Sequence, residues 1–102
     1  MQYLVSVDFK CKPGAVAAVD KMLRAALPDT RGYAGCQAID IYFDTSTNTF
    51  TALEQWDTAD HYRAYPQYRT DQGIADALAP VLEGGWEEVL ASVKWLGEKT
   101  DI

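Results

Sequence analysis

A chain of 102 residues is long enough for one hydrophobic core and too short to divide readily, so residues 1–102 are expected to form a single domain. Acidic side chains outnumber basic ones by 15 to 9, and the Lys and Arg are scattered, which leaves none of the clustered positive charge that nucleic acid or an anionic lipid surface requires. No apolar run approaches the roughly 20 residues of a membrane span, and the opening MQYLVSVDFK lacks the basic start and unbroken apolar stretch of a secretion signal, so a cytoplasmic location is expected.

Residues 3–9, YLVSVDF, place Tyr3, Val5, Val7 and Phe9 on one face at period two and Leu4, Ser6 and Asp8 on the other, the pattern of a half-buried strand. Pro13 then suits a first helical position, and Val16, Val19, Leu23 and Ala26 recur at helical spacing until Pro28, predicting a helix that ends there. Gly32 and Gly35 punctuate a loop. CQAIDIYF and TFTALEQW alternate on either side of the turn residues DTSTN and predict an antiparallel hairpin. From Thr58 the pattern becomes helical, with Asp57 as the expected N-cap and Pro66 expected to kink or split the helix. After the break at Gly84 and Gly85, WEEVLASVKWL alternates and is read as a fourth strand, with Val89, Ala91, Val93 and Trp95 on one face.

Strand, helix, strand, strand, helix, strand is the order of a ferredoxin-like split βαβ sandwich, an α+β fold in which a four-stranded antiparallel sheet carries helices on one face. Both faces of these strands hold apolar residues: Leu4 lies opposite Val5, and Leu53 opposite Phe50 and Trp56. A lone copy would leave one such face wet, so a homodimer is expected, sheet against sheet, with an interface above ~2,000 Å². Cys11 and Cys36 fall at opposite ends of parallel strands about 20 Å long. A disulfide needs Cα atoms within ~7 Å, so none is expected between them. Neither cysteine belongs to a zinc-type cluster.

Lys12-Pro13-Gly14, then Thr30-Arg31 with Gly35-Cys36 following, then Leu53-Glu54-Gln55-Trp56 before an aromatic-rich helix with a central Pro66, together resemble the antibiotic biosynthesis monooxygenase family. The likeness runs over roughly residues 3–96. It implies a dimeric α+β barrel and, in one branch, oxidation of small phenolic, quinol or polyketide-like aromatics by O2 with no cofactor. Trp56 resembles that branch's pocket tryptophan and Tyr62 its pocket tyrosine. An asparagine four residues before the tryptophan is Ala52 here, and Arg69 is the nearest counterpart of the pocket arginine. The pattern H-x-x-x-P-H-F of many relatives becomes Tyr62, Pro66, Gln67 and Tyr68, without either histidine. The haem-degrading branch places its iron ligand later in this helix, where the chain has no histidine, so haem is not expected.

Phe50, Ala52, Glu54 and Trp56 share one strand face. If it meets the helices, Trp56 can stack on a flat substrate, Phe50 and Ala52 shape the space, and Glu54 must be paired or hold its proton; Arg31 is its expected partner. His61 is the one histidine and titrates near neutrality when unperturbed. His61, Tyr65 and Tyr68 form one helical stripe and Tyr62, Pro66 and Arg69 a neighbouring one. Tyr62, His61 and Glu54 are the catalytic candidates, Tyr62 with Arg69 to hold the substrate oxygen and His61 or Glu54 to transfer a proton, and Trp56, Tyr65, Arg69, Phe50 and Ala52 are the candidates for binding the substrate. Two alternatives stay open: a non-catalytic barrel that binds a small ligand or serves a stress response, and an isomerase or cyclase of the same shape.

Overall fold

The computed structural model describes residues 2–102. Its elements are β1 (Tyr3–Lys10), α1 (Val16–Arg31), β2 (Cys36–Asp44), β3 (Thr49–Trp56), α2 (Ala59–Asp71), α3 (Ile74–Leu78), α4 (Gly85–Ala91) and β4 (Lys94–Glu98). The sheet order is β2-β3-β1-β4, and every neighbouring pair is antiparallel. Strands β1 and β2 are therefore parallel to each other, as are β3 and β4. Each parallel pair is joined by a helical crossover, which gives the ferredoxin-like α+β arrangement.

Strand β3 sits inside the sheet and shows the alternation most clearly. Phe50, Ala52, Glu54 and Trp56 are buried, while Thr49, Thr51, Leu53 and Gln55 are half-buried. Register carries the first set beside Phe9, Val7, Val5 and Tyr3 of β1 and beside Phe43, Ile41, Ile39 and Cys36 of β2. This is the face the helices cover, and the core forms there from Val5, Val7, Ile39 and Trp56 with Val19, Leu78, Leu82 and Val89. The other face carries Leu4, Ala38 and Leu53, half-buried, and Tyr42, exposed. Both cysteines are free.

Four expected boundaries are corrected. Pro13 does not begin α1. The amide of Ala15 donates to Lys12 O at 3.0 Å, and Gly14 has φ +78°, so Pro13-Gly14 form the centre of a tight turn in which the second position requires positive φ. Helix α1 passes through Pro28 to Arg31; a proline there removes one donor, and Arg24, whose carbonyl loses it, is exposed. The cap of α2 is Thr58, not Asp57: its hydroxyl accepts from the His61 amide at 3.2 Å. Pro66 lies inside α2 without dividing it, because burial of Tyr62, Tyr65 and Arg69 pins both halves; the break comes at Gly73, with φ +80°.

The largest difference concerns residues 86–91, expected as strand and found within α4. Trp86, Val89 and Val93 fit a helical spacing as well as the alternate residues fit a strand, and these three pack on the core. Glu87 and Glu88 occupy the first helical turn, where the helix dipole favours carboxylates. Ala91 is exposed. Strand β4 is thus only five residues long and begins at Lys94.

Candidate functional site

A cavity of about 400 Å³ lies between the sheet and the helices. The sheet contributes Phe9, Ile41, Ala52 and Glu54, α1 contributes Val19, Met22, Leu23 and Thr30, and α2 contributes Tyr65 and Arg69. Ile74, Leu78 and Trp86 close the far side. Ala52 is the smallest side chain on the buried face of β3, and the space above it belongs to the cavity. Apolar walls with a few convergent polar groups are the usual make-up of a small-molecule site.

Glu54 is the carboxylate in that wall. It is 5% exposed, and its Oε1 accepts a hydrogen bond from Trp56 Nε1 at 3.0 Å. Arg31, its expected partner, donates instead to Ile39 O at 3.1 Å. With no cation beside it, burial raises the Glu54 pKa from 4.5 to about 7, although the indole N–H works the other way. Near neutrality this group therefore exists in both protonation states, which is the condition for an effective acid or base.

Thr30, Tyr65 and Arg69 form the second polar feature. Arg69 Nε donates to the Tyr65 oxygen, Arg69 Nη2 donates to Thr30 Oγ1 at 2.7 Å and to Ala26 O at 3.0 Å, and the two hydroxyls lie 2.6 Å apart. Arg69 Nη1 donates to Gln72 Oε1 at 2.9 Å and lies 3.4 Å from Asp29 Oδ2. Four of the five guanidinium donors are thereby hydrogen-bonded within the protein, with Asp29 as a further ion-pair contact. The charge sits against the last turn of α1, where the helix dipole is negative. Arg69 thus ties α2 to α1 and fixes the Tyr65 ring at the cavity wall. Burial raises the Tyr65 pKa, and the hydrogen bonds to Thr30 and Arg69 oppose the shift.

Among the residues expected at the site, Glu54, Ala52, Tyr65 and Arg69 meet at the cavity. Trp56 is fully buried behind Glu54, its ring 5.4 Å from Tyr65 and 5.5 Å from Tyr62 between centroids. Tyr62 is buried too and packs between Trp56 and Trp95. Burial, followed by the nearby Glu54 and Tyr65 charges, pushes its phenol pKa upward, so it stays protonated. Phe50 lines a different groove, about 650 Å³ between α1 and β2. His61 is exposed, its Nδ1 2.7 Å from Thr58 Oγ1. The buried face of α2 draws on both expected stripes: Tyr62, Tyr65 and Arg69.

Thr30 and Gln72 as partners of Arg69, and Trp86 as part of the wall, were not expected from the sequence. Thr30 continues the Leu23 and Ala26 spacing of α1, a signal hidden by ending that helix at Pro28. Among the described residues no group of three or more His, Cys, Asp or Glu is placed to hold a metal ion, and no helix is long and apolar enough to cross a membrane.

The fold recurs in solved structures of low sequence identity. The PA3566 protein of Pseudomonas aeruginosa aligns over 97% of this chain and 94% of its own, with TM-score 0.72 and 19% identity. A provisionally assigned antibiotic biosynthesis monooxygenase from Nitrosomonas europaea aligns over 98% and 90%, with TM-score 0.73 and 15% identity. Another Nitrosomonas europaea protein, NE2512, of unknown function, aligns over 99% and 92%, with TM-score 0.73 and 17% identity. At such identities the likeness establishes the fold alone. No curated protein sequence matches the chain. Residues 2–70, which hold β1 to β3, α1 and nearly all of α2, match the model of the family described as antibiotic biosynthesis monooxygenase, and the chain belongs to that family.

Proposed function

We propose that this protein oxidises a small phenolic, quinol or polyketide-like aromatic with O2 and without a cofactor, in the cavity between the sheet and the helices. The observation that carries the reading is a buried carboxyl group of pKa about 7 in the wall of a mostly apolar space large enough for such a molecule. Glu54 takes a proton from the substrate, so the negative charge passes from the protein to the substrate. The anion gives one electron to O2, and the substrate radical and superoxide combine to form a C–O bond. The neutral Glu54 returns its proton to the peroxide, whose O–O bond breaks with loss of water and leaves a carbonyl. The protein supplies the base, a dry wall and a rigid shape. Tyr65, held by Arg69, bounds the substrate, Ala52 leaves room for it, and Trp56 orients Glu54.

Oxygen uptake by chelator-treated protein with a panel of quinols and anthrone-like phenols tests this directly. Uptake matched by carbonyl product supports it, and no turnover across the panel removes it. One observation favours a second reading, non-catalytic binding of an apolar ligand: four of the five Arg69 donors are already hydrogen-bonded within the protein, which leaves little to offer a substrate anion. Stoichiometric binding without turnover would select that reading. Product formed with oxygen excluded would select an isomerase or cyclase.

The open sheet face supports a homodimer, because Leu4, Ala38, Tyr42 and Leu53 give it an apolar patch of the kind that usually marks an interface. Light scattering at low micromolar concentration distinguishes a dimer from an 11.3 kDa monomer.

A further inference from the structure

A continuous row of aromatic rings runs through the core of this protein to its surface. From the edge strand inward, Trp95 lies 5.2 Å from Tyr62, Tyr62 lies 5.5 Å from Trp56, and Trp56 lies 5.4 Å from Tyr65. Tyr33 follows at 5.1 Å from Tyr65, and Tyr68 at 5.0 Å from Tyr33. These centroid separations are those of rings in contact, across which an electron passes readily.

An indole or phenol that loses an electron becomes strongly acidic, so the vacancy settles where a proton acceptor already waits. The row has two such places. Trp56 Nε1–H points at Glu54 Oε1, 3.0 Å away, beside the cavity. Tyr68 O–H donates to Asp29 Oδ2 at 2.8 Å, and the Asp29 side chain is 53% exposed. The other members are poorer resting places. The Tyr65 oxygen accepts from the Arg69 cation, which opposes oxidation, and the Arg63 guanidinium stands 5.2 Å over the Trp95 ring, with the same effect. Arg69 also lies 5.6 Å over the Tyr68 ring, but Tyr68 can shed its proton to Asp29, and the resulting neutral radical carries no charge for the cation to repel.

We propose that this row of rings carries oxidising equivalents out of the cavity, from Trp56 to Tyr68, each end releasing its proton to a carboxylate. The inference rests on the oxidation proposed above, whose radical pair supplies the oxidant when recombination fails. Superoxide left in the cavity takes one electron from Trp56 together with the proton that Glu54 drew from the substrate, becoming hydroperoxide, and the indole proton moves to the freed Glu54 carboxylate. An electron then passes from Tyr68 by way of Tyr33 or Tyr65 to Trp56, the Tyr68 proton moves to Asp29, and Glu54 returns its proton to Trp56. The net change is one electron and one proton gained by superoxide, the electron lost by Tyr68 and the proton by Glu54, and one proton passed from Tyr68 to Asp29. A thiol or ascorbate in solution restores Tyr68 by donating a hydrogen atom. A stray radical is thereby removed from the cavity before it damages the walls.

The test needs no substrate, so its outcome is independent of whether the protein turns over quinols. In a Trp86→Phe, Trp95→Phe variant, Trp56 is the remaining indole; a laser pulse photoionises it, and nitrate scavenges the ejected electron. Above pH 7, the indole-radical absorption should decay as a tyrosyl band grows. Adding Tyr68→Phe should remove that growth. Asp29→Asn, which keeps the tyrosine and nearly the same shape, should slow it. Tyr42→Phe, outside the row, should leave it unchanged. Growth that is the same in the Tyr68→Phe and Asp29→Asn variants overturns the proposal, as does a Trp56 radical that decays with no tyrosyl signal.

Discussion

Glu54→Gln keeps the side-chain size and an acceptor for Trp56 Nε1 while removing the charge, and its effect on stability has a definite sign. In the folded chain Glu54 holds its proton up to about pH 7, whereas its ordinary value is 4.5. Between those values the folded state binds a proton that the unfolded state has released, so this group makes the protein less stable as pH rises. Its cost is absent well below the ordinary value and complete above the raised one. At about 1.4 kcal/mol for each pH unit separating the two, the full cost is about 3 kcal/mol. Urea unfolding of both proteins at about pH 5 and about pH 8 reads it as a difference in which other carboxylates cancel. Over that range the parent should lose about 2–3 kcal/mol relative to Glu54→Gln, and the variant should be the more stable at the higher pH. Parallel pH dependences would mean that Glu54 ionises without penalty and that the cavity wall is wet.

Ala52→Leu places its added carbons in the cavity, so its stability in a thermal melt should stay within about 1 kcal/mol of the parent while ligand binding is lost; the ~1–3 kcal/mol loss typical of overpacking would mean the space is filled. Gly35→Ala should cost about 1–3 kcal/mol, since Gly35 has φ +90° and an added Cβ would clash with the His61 ring. Combining it with His61→Ala should recover only part of that loss, because the backbone conformation stays unfavourable; full recovery would assign the whole effect to the ring.

Period-two patterning made β1, β2 and β3 legible, because each has one face against the core and a one-residue slip would invert it. The carboxylate of Glu54 was legible for the same reason: it stands on an apolar strand face, where a charge needs an explanation. Helix ends were harder. Asp57 and Thr58 are both good capping residues, and only the approach of the His61 amide selects Thr58. Pro28 and Pro66 are breakers by local rule, yet tertiary burial of Thr30, Tyr65 and Arg69 carries both helices past them. Residues 86–93 satisfied two periods at once, and packing of Trp86 and Val89 decided for the helix. The Thr30–Tyr65–Arg69 network joins residues 35 and 39 positions apart, a spacing to which no local pattern is sensitive.

The central claim is that Glu54 is the base for oxidation in this cavity, and the pH dependence of oxygen uptake tests it most directly. With a quinol that the chelator-treated protein oxidises, kcat/KM should rise with pH through about 7, following the Glu54 carboxylate, and Glu54→Gln should abolish uptake while the protein still binds the quinol. Uptake by Glu54→Gln at the parental rate, with the same pH profile, would contradict the account.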